Sequence, residues 1–269
     1  MFITMIIFSG CIKKENIPKI NDKFKETSIF PVRNLSIEVV YDNNPYKEEI
    51  GTAWGFSCFI EGTEKNILFD TGGNGELLFD NMKKLEIDPG KIDVVVLSHI
   101  HGDHVGGLDS FLKENSNLIV YLPQSFPDDF KHNVNSYGAK VVEVGGPVKI
   151  CKNAFSTGEL GCWIKEQSLV IRTNKGLVVI TGCAHPGIVK IVEKAKELVS
   201  DEVLLVMGGF HLSGYSSGEI GKIILSFKDL GVVYVGLCHC SGDTARRLFK
   251  EEFGKNYIDV GVGKKIDIN

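Results

Sequence analysis

The sequence predicts an α/β fold, and three observations favour this class. A strand, a loop and a helix follow one another in that order three times between residues 177 and 253. Hairpin patterns occur at 54–70 and 168–180, and a short apolar run at 92–97 is typical of a buried strand. Because strands that alternate with helices form sheets covered by helices, we expect a layered α/β domain. Its 269 residues suffice for one large domain or two small ones.

The regular part of the chain begins near residue 35, after a stretch at 1–33 that reads as leader and linker. Residues 35–41 alternate in the manner of an edge or half-buried strand. The polar turn at 61–65 joins the next two strands in a hairpin. The remaining elements predicted up to residue 151 are strands at 54–60, 66–70, 93–97, 118–122, 141–144 and 148–151, and helices at 76–85, 107–114 and 127–137.

The second part of the chain begins with a hairpin whose strands, at 168–172 and 176–180, meet across a short polar turn. Three units of strand, loop and helix follow, and each loop carries one histidine: His185, His211 or His239. Such turns can converge on one site at one edge of the sheets. The elements predicted for these units are strands at 177–180, 203–207 and 232–236, and helices at 188–199, 220–230 and 244–253.

A dense cluster of ligand-type side chains follows the buried strand at 92–97. His99 and His101 are two residues apart on a strand-like turn and can face one ion. Asp103 and His104 are adjacent and project elsewhere, so they can serve a second ion close to the first. The polar groups are too dense for a core, although a loop of this composition could hold no metal. The sequence therefore predicts at least one metal ion at this turn.

The ligands still needed must come from further along the chain. The candidates are His185, His211 and His239, and of the seven histidines only His132 then lies outside the set. Either of His211 and His239 could instead hydrogen-bond a substrate or fix a turn.

Two motifs resemble those of the metallo-β-lactamase superfamily. The run at 99–104 (HIHGDH) resembles its signature, and the run at 69–72 (FDTG) resembles its companion motif. The resemblance implies an αββα sandwich of two similar halves, which we expect over residues 34–269. It also implies that Asp70 contacts the metal ligands rather than the metal itself. Its local sequence fits a turn former before Gly72 equally well.

A narrower resemblance extends over most of the chain from residue 54 onwards. The stretches that carry it lie at 181–189 (TGCAHPGIV), 208–212 (GGFHL), 239–242 (HCSG) and 261–264 (GVGK). They are similar to the branch named after 7,8-dihydropterin-6-methyl-4-(β-D-ribofuranosyl)aminobenzene 5'-phosphate synthase. In that reaction an arylamine displaces diphosphate from a pterin methyl carbon.

This resemblance implies a metal-dependent enzyme that acts on a phosphorylated or diphosphate substrate, with Asp103 and His185 as catalytic residues. One or two divalent ions are implied, with Zn favoured over Mn or Fe. The alternatives are a metal-dependent hydrolase of a phosphoester or lactone, and a metal- or ligand-binding lipoprotein without turnover. A small molecule such as a pterin diphosphate is the implied partner. The formal net charge of −4 gives no case for nucleic acid.

The chain also departs from the superfamily pattern. Cys183 occupies the kind of position where a bridging Asp is usual, and we expect a buried small residue there rather than a ligand. No histidine lies near residues 156–159, where a third motif would place one, so we expect His185 to substitute. Lys264 could hold a substrate phosphate, or it could be a solvated terminal lysine.

Seven cysteines, an odd number without a disulfide-like spacing, favour reduced thiols. Cys238-His239-Cys240 is a candidate soft metal site, and on a strand its two thiols would point together. The apolar start of the chain followed by Ser9-Gly10-Cys11 is similar to a lipoprotein cleavage box. A lipid anchor at Cys11 and a cytoplasmic location therefore remain alternatives, and such an anchor is the one membrane link predicted.

Overall fold

The structure is a computed structural model that describes residues 31–269. Most of the predicted leader at 1–33, including Cys11, lies outside the described residues. Among the residues that are described, no helix combines the length and the apolar character needed to cross a bilayer.

Thirteen strands and seven α-helices make up the described part of the chain. The strands are β1 (Leu35–Asp42), β2 (Phe56–Glu61), β3 (Ile67–Phe69), β4 (Val94–Val96), β5 (Ile119–Pro123), β6 (Lys140–Val144), β7 (Val148–Cys151), β8 (Ala154–Ser156), β9 (Leu169–Thr173), β10 (Gly176–Thr181), β11 (Val203–Gly209), β12 (Tyr234–Cys238) and β13 (Lys265–Ile268). The helices are α1 (Gly75–Lys84), α2 (Gly102–Val105), α3 (Leu108–Glu114), α4 (Asp128–Ser136), α5 (Ile188–Val199), α6 (Ser217–Asp229) and α7 (Asp243–Phe253).

The strands form two mixed sheets. The seven-stranded sheet has the order β13-β1-β2-β3-β4-β5-β6, and the six-stranded sheet has the order β12-β11-β10-β9-β8-β7. Strands β3 to β6 pair in parallel in the first sheet, and β10 to β12 pair in parallel in the second. We call residues 35–144 the amino half and residues 148–253 the carboxyl half.

Three hydrophobic clusters define four layers. One cluster lies between the two sheets and contains residues such as Phe56, Phe69 and Met207. A second packs α1, α3 and α4 on the outer face of the seven-stranded sheet, and a third packs α5, α6 and α7 on the six-stranded sheet. The predicted αββα sandwich is therefore confirmed.

Most predicted elements are present, with differences at the edges. Strand β1 is almost wholly buried because β13 and β2 pair with it on either side, so the prediction of an edge or half-buried strand was wrong. The strand predicted at 232–236 is shifted to β12, which ends at Cys238. The short elements α2, β8 and β13 were not predicted, since three or four residues show no clear periodicity.

The two halves are joined at the edge where the parallel strands end. Gln167, just before β9, donates from its side-chain amide to the carbonyl of Leu97 at 2.8 Å. Its backbone N–H donates to the carbonyl of Ser98 at 2.9 Å. Because Ser98 begins the histidine-rich turn, these bonds hold that turn against the carboxyl half.

Candidate metal centre

The turn after β4 is organised around one buried carboxylate, Asp70, at the end of β3. Asp70 accepts hydrogen bonds from the Ser98 N–H at 2.6 Å and from the Ser98 hydroxyl at 2.7 Å. It also lies 2.7 Å from Nδ1 of His104. A carboxylate at this nitrogen directs Nε2 of the ring towards the centre, which is the usual arrangement behind a metal-binding imidazole. Helix α2 then carries both Asp103 and His104.

The turn after β10 is organised around a second buried carboxylate, Glu166. Glu166 accepts hydrogen bonds from the Thr181 hydroxyl and from the N–H groups of Cys183 and Ala184, each at 2.9 Å. It also accepts one from the N–H of His185 at 2.8 Å. Three consecutive amides are thus aimed at one carboxylate, which fixes the direction in which the His185 side chain leaves the backbone.

The turn after β12 places His239 by contacts with the amino half. Its backbone N–H donates to Asp42 at 3.1 Å, and its Nδ1 lies 2.9 Å from Oδ1 of Asn43. The ring of Trp54 packs on its ring at a centroid distance of 4.8 Å. These contacts leave Nε2 of His239 directed at the centre.

The side chains converge into two sets of three donors. In the first set, the ligand atoms of His99, His101 and His185 lie within 4.8 Å of one another. In the second set, the ligand atoms of Asp103, His104 and His239 also lie within 4.8 Å of one another.

Each set draws on both halves of the molecule. The closest pairs of donor atoms are His99 Nε2 and His101 Nδ1 at 3.1 Å, His104 Nε2 and His239 Nε2 at 3.2 Å, and His239 Nε2 and Asp103 Oδ2 at 3.3 Å. The spacing of the histidine-rich turn predicts this grouping of donors, and binding of one ion by each set stays a prediction.

Cys183 lies between the two sets. Its Sγ is 3.2 Å from Nε2 of His104 and 3.3 Å from Sγ of Cys240. It forms further donor groups with His99 and His104, and with His185 and His211. The expectation of a buried small residue is therefore incomplete, because this buried thiol is also in position to be a ligand.

Burial and mutual repulsion disfavour the charged form of two imidazoles in the first set, His99 and His185. Burial lowers the pKa of His99 well below its usual range, and the neighbouring His104 and His185 lower it further. Burial also lowers the pKa of His185 to about 4, and the charges of His211 and His101 act in the same direction. Neutral imidazole is the form that binds metal, so these rings are prepared for ligation at neutral pH.

Negative charge concentrates near the second set. Burial alone would raise the pKa of Asp103, but a hydrogen bond from His239 and the charge of His104 hold it below its ordinary value. Hydrogen bonds from Cys183 and His211 lower the pKa of the Cys240 thiol, and the same contact with Cys240 raises the pKa of Cys183. These shifts favour anionic forms of Asp103 and Cys240 beside the imidazoles.

These residues fit a divalent metal. Nε2 of His185 is buried and has no hydrogen-bond partner among the described residues, although it points into a cluster of other donors. An unpaired buried nitrogen is unfavourable, and coordination would satisfy it. Imidazole, carboxylate and thiolate together are the donors that Zn²⁺ accepts most readily.

The backbone around the centre is strained. Of the seven non-glycine residues with positive φ in the described part of the chain, four lie here: Asp70 at 57°, Ala184 at 61°, His211 at 52° and His239 at 48°. Each such conformation costs on the order of 1–3 kcal/mol and persists where the surroundings enforce it. Clustering of this kind is typical of functional sites.

The other predicted residues take different places. His211 is exposed beside the first set, with its ring centroid 4.4 Å from that of His185. Lys264 donates to the hydroxyl of Tyr46 at 3.1 Å and lies over its ring. Its role towards phosphate stays a prediction.

The prediction that the thiols of Cys238 and Cys240 point together was wrong, because β12 ends at Cys238 and a 3₁₀ turn begins at His239. Cys240 therefore reaches the centre, where it joins a donor group with Cys183 and His239. Glu166 was missed altogether. It lies in an irregular segment, and its partners are 15–19 residues further along the chain.

Comparison with known families agrees with this geometry. The family model described as the metallo-β-lactamase superfamily matches residues 55–169. The 7,8-dihydropterin-6-methyl-4-(β-D-ribofuranosyl)-aminobenzene-5'-phosphate synthase of Methanocaldococcus jannaschii is 30% identical, over 83% of this chain and 92% of its own length.

Solved structures have the same architecture. A crystal structure described as a metal-dependent hydrolase of the β-lactamase superfamily is 31% identical, with a TM-score of 0.74 over 86% of this chain and 98% of that one. A diphosphatase of the PhnP family, 14% identical, matches with a TM-score of 0.61 over 87% of this chain and 97% of that one, and shares the fold.

The chain therefore belongs to the metallo-β-lactamase superfamily. Within it, the chain falls in the branch of the dihydropterin-ribofuranosylaminobenzene phosphate synthase. This is an enzyme superfamily whose members usually bind divalent metals.

Proposed function

We propose that this chain is a metal-dependent synthase in which an arylamine displaces diphosphate from a pterin methyl carbon. The observation that carries the proposal is the pair of adjacent three-donor sets, joined by Cys183. Two neighbouring cation sites are suited to a leaving group with several negative oxygens. The similarity to the M. jannaschii synthase over most of both chains supports the choice of substrates.

The site residues act together in this proposal. His99, His101 and His185 would hold one divalent ion, and Asp103, His104 and His239 the other, with Cys183 between them. Such ions would supply positive charge to the diphosphate oxygens as the carbon–oxygen bond breaks. Zn²⁺ suits the mixture of donors better than Mn²⁺ or Fe²⁺ does, because thiolate is a soft ligand.

The balance of the reaction is simple. A bond forms between the amine nitrogen and the pterin methyl carbon, the carbon–oxygen bond to diphosphate breaks, and one amine proton is released. His211 belongs to neither three-donor set and is exposed beside His185, so its imidazole is in position to accept that proton.

A two-substrate assay tests the proposal. Metal-loaded protein is mixed with pterin diphosphate, with the ribofuranosylaminobenzene phosphate, and with both, and release of diphosphate is measured. We expect release with both substrates together. Release from the pterin diphosphate alone would instead identify a hydrolase.

The hydrolase is the second candidate, favoured by the 31% identity to a protein described as a metal-dependent hydrolase. In that reaction water takes the place of the arylamine, and the same donor sets would serve a phosphoester or a lactone. The two candidates differ in what the protein must bind beside the metal centre.

Replacing Asp103 with Ala tests the division into two ion sites. The variant loses one donor of the second set, so we expect the metal content to fall from about two ions per chain to about one. Mass spectrometry of the intact protein measures this, and His132→Ala, at an exposed histidine outside the centre, is the matched control. An unchanged metal content in Asp103→Ala would contradict the second site.

A further inference from the structure

A cleft of about 350 Å³ opens directly beside the first donor set. It lies between the start of α5 and the loop that leads from β11 into α6. Its lining includes His185 and His211, and also Lys190 and Glu193 of α5. Its volume is in the range of small-molecule sites, and it adjoins the candidate centre.

The lining combines three kinds of side chain. The two imidazoles adjoin the candidate centre, because His185 belongs to the first donor set. The walls are mainly apolar and aromatic, and they include Ile188, Leu212 and Tyr215. Tyr215 is 46% exposed, so much of its side chain is free to contact a ligand.

Two charged side chains of α5 also line the cleft. Lys190 and Glu193 are both exposed on the first turns of α5. Within the part of the chain that the structure describes, Lys190 forms no ion pair, whereas Lys194 one turn later pairs with Glu197 at 3.0 Å. A cation without a partner at the rim of a cleft can pair with an anionic group of a ligand.

We propose that this cleft binds the arylamine substrate, with its amine at His185 and His211, its ring between the apolar walls, and its phosphate at Lys190. The assignment rests on the proposed synthase function, and it names the subsite for the nucleophile. The lining offers each kind of group that a ribofuranosylaminobenzene phosphate needs: imidazoles for the amine, apolar and aromatic side chains for the phenyl ring, and a cation for the phosphate.

The pterin fits this cleft less well. A pterin ring carries several hydrogen-bonding groups, and burying them against the apolar walls formed by Ile188 and Leu212 is unfavourable. A phenyl ring makes no such demand, and it gains by contact with the Tyr215 ring and the Ile188 and Leu212 side chains. In this proposal the pterin diphosphate therefore binds at the donor sets.

Binding of 4-fluoroaniline to the metal-loaded protein, followed by ¹⁹F NMR, tests the ring subsite without any turnover. We expect Tyr215→Ala to weaken binding about 5- to 10-fold, because an aromatic contact is lost. Leu225→Ala is the control, since Leu225 is 61% exposed on α6 and lies outside the cleft lining. Absence of saturable binding, or equal effects of the two variants, would overturn the proposal.

Steady-state kinetics test the phosphate end. Lys190→Ala should raise KM for the phosphorylated arylamine about tenfold, since a charge-assisted contact is lost. It should leave KM for pterin diphosphate and the affinity for 4-fluoroaniline unchanged. Lys194→Ala is the matched control on the same helix. If Lys190→Ala or Tyr215→Ala raises KM for pterin diphosphate alone, the cleft holds the pterin and the proposal is wrong.

The two proposals fail in different ways. If the protein turns over both substrates together but the cleft variants keep the parental KM for the arylamine, the synthase proposal stands and the subsite proposal is wrong. If aniline binding depends on Tyr215 but the protein hydrolyses pterin diphosphate alone, the cleft still binds the ring and the synthase proposal is wrong.

Discussion

Two buried carboxylates support the candidate centre, one from each half of the molecule, and they do so differently. Asp70 in the amino half lies 2.7 Å from a ring nitrogen of His104, so it contacts the side chain of a candidate metal ligand directly. Glu166 in the carboxyl half contacts three backbone amides and a hydroxyl, and none of these is a donor atom of the centre.

One carboxylate therefore orients the side chain of a candidate ligand, and the other sets the shape of a loop. The histidine-rich turn is contiguous in sequence, so it needs little more than orientation of its rings. The turn at 181–187 must place His185 beside that cluster while Ala184 adopts a positive φ of 61°. A buried anion beneath the amides stabilises that backbone.

Removal of the Glu166 carboxylate should have the largest effect on folding. In Glu166→Ala four buried donors lose their acceptor, so we expect the free energy of unfolding to fall by about 3–5 kcal/mol. Urea denaturation of the metal-free protein measures it. Glu251→Ala, at an exposed glutamate paired with Arg247, should cost less than about 1 kcal/mol. If the free energy of unfolding falls by a similar amount in both variants, Glu166 stabilises the protein no more than an exposed glutamate does.

Substitution of Asp70 should act on the metal instead. Asp70→Asn preserves size but weakens the acceptor behind His104, so we expect metal affinity to fall about 10- to 100-fold. That ratio corresponds to about 1.4–2.7 kcal/mol. Competition with a chromophoric chelator measures it, and Asp80→Asn, on the surface of α1 beside Lys84, is the control. Unchanged affinity would show that Asp70 acts only in folding.

The smallest effect should be a change in pH dependence. Burial lowers the pKa of His185 to about 4, so the folded metal-free protein resists protonation that the unfolded chain accepts below about pH 6.5. Stability from this group is present above that pH and is lost as the pH falls towards 4. We therefore expect Tm to fall less between pH 7 and 5 in His185→Asn than in the parent protein.

The control for that comparison is His132→Asn, at an exposed histidine remote from the centre, which should keep the parental pH dependence. If His185→Asn loses as much Tm as the parent protein over the same interval, the ring of His185 is not the neutral, buried group described above.

Sequence reasoning succeeded where the signal was local. Helix α5 was predicted with the bounds that it has, because its apolar residues recur at helical spacing and Gly187 precedes it. The histidines were singled out because ligand-type residues follow buried strands. The fold was predicted from motifs as well as from periodicity, and the structure confirms it.

Sequence reasoning failed where partners are remote. The pairing of β13 with β1 joins residues such as Leu35 and Ile268, which no local pattern connects. Glu166 has no neighbours in sequence that reveal its role, since its partners are supplied by the turn after β10. Cys183 was predicted to be a buried small residue because free cysteines are commonly buried, and its position 3.2 Å from Nε2 of His104 adds that its thiol is in place to be a ligand.

The two donor sets have a consequence for the mechanical integrity of the molecule. In the first set, His99 and His101 come from the amino half and His185 from the carboxyl half; in the second, Asp103 and His104 face His239 in the same way. An ion bound in either set would be a reversible cross-link between the sheets, comparable to a disulfide but dependent on the free metal concentration. At a metal concentration one hundred times the Kd, each ion would stabilise the folded state by about 2.7 kcal/mol. Removal of the metal by a chelator would then lower the stability of the folded protein as well as take the ions from the centre.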